Sequence, residues 1–447
     1  MSLATTHRGR GTNVGLDPVS DRGSDRVRWG SVSAVAGAAL LVLVVNAWGR
    51  ALQADGHRLF MNLPPLVGRL DPRFSWAGIG AIAFVPVAIV VGPRVAAWAP
   101  WRWVLLATFA GAVAWAVALG LTEGAAGLVR SPSSPRDYLA SVPLINDPLT
   151  FLGTFVDRID TFTTHVRAHP PEMALVAWWL DRLGGGPSTF VAMEILLGAS
   201  AMPAVLLAVR EVSSEDPARA VAPFLAFSPA AVTLASSGDA LFLGVGAWAV
   251  ALVVLATGRR NGWVPLAAGG GFLFGVLAFL SYGLVLLAAI PLAVAARRRS
   301  VDVIGLAVIG AMPIFVAFLA AGFWWVDGLL ATRVEYLQSV ARTRPYHYFV
   351  VANLAAFAIV LGPAALAALA RWSRAGSVWT LVGGALVAVA LADASGMSKA
   401  EVERIWLPFV PWVLTATAML PSKTRRAWLA VNVTAAVLLE IVVTRPW

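Results

Sequence analysis

Three carboxylates stand where a proton-abstracting group would be useful. Glu123 follows the end of a long apolar run, Asp137 sits in Arg136-Asp137-Tyr138-Leu139, and Asp239 closes the turn Ser236-Ser237-Gly238-Asp239 ahead of another apolar run. A carboxylate held beside hydrocarbon is harder to ionise, which makes it a stronger base toward a hydroxyl. The same positions also suit helix-end caps, so each residue has a structural reading beside the chemical one. A second set is basic and aromatic: Arg333, Arg342 and Arg344 with Tyr336, Tyr346, His347 and Tyr348, then Lys399 and Arg404; Glu401 and Glu403 between the last two belong with the loop carboxylates, most of which read as solvated. Guanidinium groups bind phosphate through paired hydrogen bonds, and tyrosines hydrogen-bond or stack on sugars; bulk lipid headgroups are the alternative partner. His165 and His169 have the i, i+4 spacing of metal ligands, but Pro170 and Pro171 end any helix there, which favours a positioning role for His169. No cofactor is implied by these residues, and they leave open whether a divalent metal assists. Glu194 falls inside an apolar run, where a charge costs roughly 2.5–3.5 kcal/mol on insertion scales, so it must face protein or water.

The elements that must position these groups are membrane helices. Of 447 residues, 59% are hydrophobic and 13% charged, against about 25% charged in soluble domains. The mean hydropathy is +0.76. Apolar runs long enough to cross about 30 Å of hydrocarbon recur from residue 31 onward. They predict about 13 spans, at 31 to 49, 76 to 93, 103 to 121, 188 to 209, 218 to 236, 238 to 257, 263 to 281, 283 to 296, 302 to 324, 349 to 370, 377 to 392, 404 to 420 and 427 to 443. Residues 1 to 29 are polar and basic and predict a disordered cytoplasmic tail, leaving residues 30 to 447 as the membrane domain.

The net charge of +10 would suggest nucleic acid in a soluble chain, but here the basic residues cluster between spans and report orientation. With the N-terminus inside, Arg94, Arg102, Arg210, Arg259, Arg260, the run Arg297, Arg298 and Arg299, Arg371, Arg374, Lys423, Arg425 and Arg426 all fall on the cytoplasmic side. Tryptophans near run ends, such as Trp29, Trp101 and Trp324, suit the membrane interface. The absence of cysteine excludes disulfides and thiolate chemistry. The segment from 171 to 183 is too short to cross and reads as an amphipathic surface helix broken by Gly184, Gly185 and Gly186. The opposite side then carries polar segments at 50 to 75, 122 to 187, 325 to 348 and 393 to 403, and loops of this length usually carry function.

Several of these segments resemble, in order, a known group. His169-Pro170-Pro171, Phe227-Ser228-Pro229-Ala230, the turn ending in Asp239, Arg344-Pro345-Tyr346-His347-Tyr348-Phe349, Asn353, Gly362-Pro363 and Glu401-Val402-Glu403-Arg404-Ile405-Trp406 are similar to the polyprenyl-phosphate-sugar-dependent membrane glycosyltransferases of the GT-C fold, in an actinobacterial branch. The resemblance implies an all-α GT-C-like membrane core whose first large outer loop carries a catalytic carboxylate and two surface helices. It further implies a lipid-linked sugar donor and a glycan or glycolipid acceptor. The chain departs from that pattern in placing two further spans before the loop, and in lacking paired acidic residues early in it.

On this reading Glu123 is the first choice as base and Asp137 the second, Asp239 and His169 orient substrates, and Arg344 and Arg404 meet the donor phosphate. Arg333, Tyr346, Tyr348 and Glu403 complete the expected substrate contacts. The expected location is the plasma membrane, with the reactive face extracytoplasmic. A multi-pass transporter or lipid-linked-saccharide flippase is the main rival, and a non-catalytic scaffold the third reading. A transporter favours ionisable groups near the midplane in matching halves, whereas here they gather on one face.

Overall fold

The computed structural model describes residues 21 to 72, 75 to 235, 237 to 372 and 376 to 445, with side chains from residue 29 onward apart from Ala77. Most of the expected tail, and Ser236 and Arg374, lie outside the described residues. From Asp21 the chain is already helical, so the described part of the tail runs straight into the first helix.

The chain is all-α, with one two-residue antiparallel pairing between β1 (Arg69–Leu70) and β2 (Val443–Thr444) among the described residues. Its helices are α1 (Asp21–Ala54), α2 (Ile79–Trp98), α3 (Trp101–Gly120), α4 (Glu172–Arg182), α5 (Pro187–Val212), α6 (Glu215–Ala226), α7 (Asp239–Ala256) and α8 (Trp263–Leu280). The second half adds α9 (Ala289–Arg298), α10 (Val301–Ala320), α11 (Trp325–Gln338), α12 (Tyr346–Leu369), α13 (Trp379–Ala394), the single turn α14 (Val402–Ile405) and α15 (Ser422–Val442). Among the described residues nine helices are long and apolar enough to cross a bilayer.

The other four expected spans are shorter or more polar, three of them around prolines and the fourth through its charges. Pro223 and Pro229 flank the break after α6, Pro291 lies just inside α9, and Pro408 and Pro411 divide 402 to 419 into short turns. Proline removes a backbone donor and crowds the preceding turn. Freed backbone groups are tolerated at membrane depth only inside protein, and residues 229 to 233 and 407 to 417 are accordingly buried. α15 keeps its full 21 residues but begins with Lys423, Arg425 and Arg426 and carries Glu440. Within α12 the chain breaks at Gly362, whose φ of 78° suits glycine, and the Asn432 amide oxygen accepts from the freed Ala364 N–H at 3.3 Å.

α7 lies at the centre, 78% of its apolar window being buried, against 11% for α1 and α10. Small residues bring the central helices together, as is usual where lipid offers no hydrophobic drive for association. A side chain at Gly244 of α7 would overlap the Leu197 carbonyl of α5, and one at Gly271 of α8 would overlap the Ala307 backbone of α10.

The bundle has two chemically distinct ends. At one, Arg210 pairs with Glu215 at 2.9 Å, Arg298 with Glu211 at 2.8 Å, and Arg259 with Asp302 at 2.5 Å. At the other lie the starts of α5, α7 and α12, the ends of α3 and α13, and the long segment from 124 to 186. Exposed tryptophans mark both ends, Trp98 and Trp372 at the basic one and Trp76 and Trp324 at the other. The segment from 171 to 183 forms the 11-residue helix α4, which ends at Gly184 in a left-handed conformation (φ 80°), matching the expected short helix.

Candidate active site

At the second end, residues from three distant stretches meet. The first is the loop after α3. Asp137 is buried, with Oδ1 accepting from the Tyr138 N–H at 2.7 Å and Oδ2 facing His165 Nδ1 at 3.2 Å. It therefore caps no helix. The strand of loop bearing His165 is tied to that bearing Asp137: the His165 N–H donates to the Arg136 carbonyl at 3.1 Å and the Thr163 hydroxyl to the Asp137 carbonyl at 3.1 Å. His169 donates from Nδ1 to the His165 carbonyl at 3.0 Å, which fixes its tautomer and leaves Nε2 as an acceptor. Burial pushes the His169 pKa down to about 4, against the opposing pull of Asp239, so the ring is neutral near pH 7. The two histidines are thus engaged separately, and among the described residues no cluster of three or more His, Asp or Glu is arranged for a metal ion.

The second stretch is the start of α7. Asp239 Oδ2 accepts from the Ser237 hydroxyl and from Arg404 Nη1, the latter at 2.8 Å. Gly238 lets the turn pass close to its neighbours: a Cβ there would stand 3.2 Å from the Tyr138 ring, 3.4 Å from Met173 and 3.7 Å from Glu194 Oε1. Glu194, in the second turn of α5, is buried with Oε2 lacking a hydrogen-bond partner. Tyr138 lies beneath these groups, its phenol pushed well up by burial and then by the charges of Asp239 and Asp137.

The third stretch is the turn into α14. Ala400 and Glu401 both have positive φ, 73° and 63°, which is strained for residues with side chains. Asn353 holds this turn: its amide nitrogen donates to the Ser398 carbonyl at 2.6 Å and to Asp393 at 2.8 Å, and its oxygen accepts from the Ala400 N–H at 3.3 Å. The strain aims Glu401 at Arg404 Nη2, 2.6 Å away. Burial would raise the Glu401 pKa, but the Arg404 guanidinium outweighs it and the net shift is downward. Glu403 is fully buried, neither of its oxygens meets a partner outside its own residue, and burial pushes its pKa up to about 7.

Asp137, Asp239, His169, Glu403 and Arg404, all singled out in the sequence, therefore come together with Tyr138, His165, Glu194 and Glu401. No family model, curated protein or solved structure matches the chain. The meaning of the site rests on its own geometry.

The remaining sequence candidates lie differently. Glu123, the first choice as base, pairs with Arg130 in the turn after α3, beside a second group in which Thr122 donates to Glu440 at 3.1 Å and Arg445 meets Glu440. Its geometry is that of an ion pair within the turn after α3, next to the Thr122–Glu440 contact that joins this turn to α15. Arg344 gives its protons to backbone carbonyls, Nε to Leu59 at 3.0 Å and Nη1 to Lys399 at 2.6 Å, and stacks over Phe349. Arg404 is engaged by two carboxylates. Neither guanidinium is presented as an open phosphate receptor, and an excess of carboxylate around Arg404 opposes a second anion there. Tyr348 is buried between α1 and α12 with its hydroxyl on the Val45 carbonyl at 3.3 Å, and Tyr346 donates to the Ala394 carbonyl at 3.0 Å. Arg333 is exposed on α11.

Sequence reasoning overlooked His165 as a partner of Asp137, because the i, i+4 spacing drew attention to metal ligation. It treated Glu401 as one of many solvated carboxylates. The pairing of Asp239 with Arg404 spans 165 residues and leaves no local signal.

Proposed function

We propose that this protein is a membrane glycosyltransferase that moves a sugar from a polyprenyl-phosphate donor to a glycan or glycolipid acceptor on the extracytoplasmic face of the plasma membrane. On this reading all thirteen segments cross the bilayer in a GT-C-like arrangement, the basic end is cytoplasmic, and the acidic end faces out. One observation carries the proposal: the Asp137 loop, the Asp239 turn and the Glu401-to-Arg404 segment, three of the pieces expected to act together, converge in one carboxylate-rich site at one end of the bundle.

The chemistry suits such a site. A sugar phosphate already has a good leaving group, so the protein must orient an acceptor hydroxyl, remove its proton and exclude water. Sugar hydroxyls are donors, and the partly exposed carboxylate of Glu401 is an acceptor for them, while the buried Asp239 holds Arg404 in place. In-line attack inverts the anomeric centre. The proton-accepting role falls to the Asp137 group in preference to Glu123, since Glu123 is committed to Arg130. The guanidinium of Arg333 is exposed on α11 and is the more open to the donor phosphate, and a divalent ion would add to that charge if one is used.

The test is to present purified protein in detergent with radiolabelled polyprenyl-phosphate sugars and acceptor lipids. Transfer from at least one donor is expected. Glu194, a buried carboxyl inside α5, is the observation that favours a transporter instead. That reading gains if no donor is consumed while labelled saccharide crosses liposomes containing the protein.

A further inference from the structure

We propose that the group taking the acceptor's proton is the imidazole of His165, and that Asp137 is its positioning residue; this rests on the sugar-transfer reading above. Asp137 is only 2% exposed, and both its oxygens are already engaged, one by the Tyr138 N–H and one by His165. A hydroxyl has no direct route to it. The His165 side chain, by contrast, is 23% exposed. With Nδ1 facing the carboxylate at 3.2 Å, the ring holds its proton on Nδ1 and offers the Nε2 lone pair outward. The loop bearing the ring is tied down, because the His165 N–H donates to the Arg136 carbonyl, the Thr163 hydroxyl donates to the Asp137 carbonyl, and the Ser141 hydroxyl donates to that of Thr163 at 2.9 Å. Nucleophile activation through a base that is itself oriented by a buried third group is a general solution to this problem.

The groups facing His165 are Asp137 from its own loop, Glu401 from the turn before α14, His169 one helical turn on, and the Tyr138 ring at 5.7 Å.

In the step, the acceptor O–H gives its proton to His165 Nε2 while the oxygen forms a bond to the anomeric carbon. The bond from that carbon to the phosphate oxygen breaks and its electron pair leaves with the polyprenyl phosphate. His165 then releases the proton to water.

The experiment measures kcat and KM of the full-length protein between about pH 5 and pH 9 with a donor that the wild type uses, where a histidine base titrates. His165→Gln is expected to lower kcat by about 10²–10⁴-fold with KM little changed, and to abolish the fall in rate at low pH. Asp137→Asn is expected to lower kcat while keeping that fall, since the ring loses the partner that orients it but remains the base. His165→Ala with added imidazole supplies a second readout, partial recovery of rate, should the glutamine disturb the loop. An unchanged kcat and acid limb in His165→Gln, or no imidazole rescue of an otherwise folded His165→Ala, would overturn the assignment alone. Absence of transfer by the wild type would overturn the sugar-transfer reading and this inference with it.

Discussion

At the residue scale the site turns on how buried charges are partnered. Removing one member of a buried ion pair leaves the other uncompensated, at about 3–5 kcal/mol. Arg404 serves both Asp239 and Glu401, so Arg404→Gln should destabilise the protein as well as abolish transfer, and a marked drop in melting temperature in detergent would show it. Glu403 tests the electrostatics differently. Its pKa is raised from an ordinary 4.5 to about 7, so the folded protein binds more protons than the unfolded chain between those values. Its contribution is fully present below the unfolded pKa and is lost as pH rises through 7. Glu403→Gln removes that dependence, and a thermal melt series should show the wild type losing ground between pH 4.5 and 7 relative to the variant, by up to roughly 3 kcal/mol. A parallel decline in both proteins would count against a protonated Glu403.

Asp137, Asp239, His169 and Arg404 were legible in the sequence because each is a polar residue beside an apolar run, in a segment of recognisable order. Their partners were not. Which carboxylate meets Arg404 is decided by the crossing of α7 with the segment after α13, and the pairing of Glu123 with Arg130, seven residues on, arises only through the tight turn at Gly124 and Gly127.

At the element scale, the long spans follow directly from hydropathy, whereas the four short or polar ones carry prolines or charges that a hydropathy average smooths over. The close approach of α5 and α7 leaves no room for a side chain at Gly244. Gly244→Leu should prevent the two helices from meeting and yield little monodisperse protein by size-exclusion chromatography. Gly305→Ala in α10 meets no neighbour, and should leave yield and melting temperature unchanged or slightly improved. Equal behaviour of the two variants would contradict the packing described for the central helices.

At the scale of the whole molecule, the account requires one acidic end and one basic end on opposite sides of a membrane. The chain has no cysteine, so single cysteines report position without background. Asp160→Cys, in the loop before α4, should react with a membrane-impermeant maleimide added to intact cells, and Arg260→Cys at the basic end should react only after lysis. The reverse pattern would invert the orientation and move the site to the cytoplasmic face. The all-α membrane architecture was legible from composition alone, since nothing but a bilayer accommodates so much apolar surface. That the polar groups lie on one side follows from the order of the spans, whereas which of them touch needed the three-dimensional path of the chain.

The central claim is that the convergent Asp137 site, and not the Glu123 pair, performs sugar transfer. The most direct measurement is the initial rate of sugar transfer from a polyprenyl-phosphate donor by purified wild type, Glu123→Gln, Asp137→Asn and Asp239→Asn, each checked for folding by its melting temperature. The account predicts that Glu123→Gln retains most of the wild-type rate while Asp137→Asn and Asp239→Asn lose about 10²-fold or more. Full activity in both aspartate variants, or loss confined to Glu123→Gln, would contradict it.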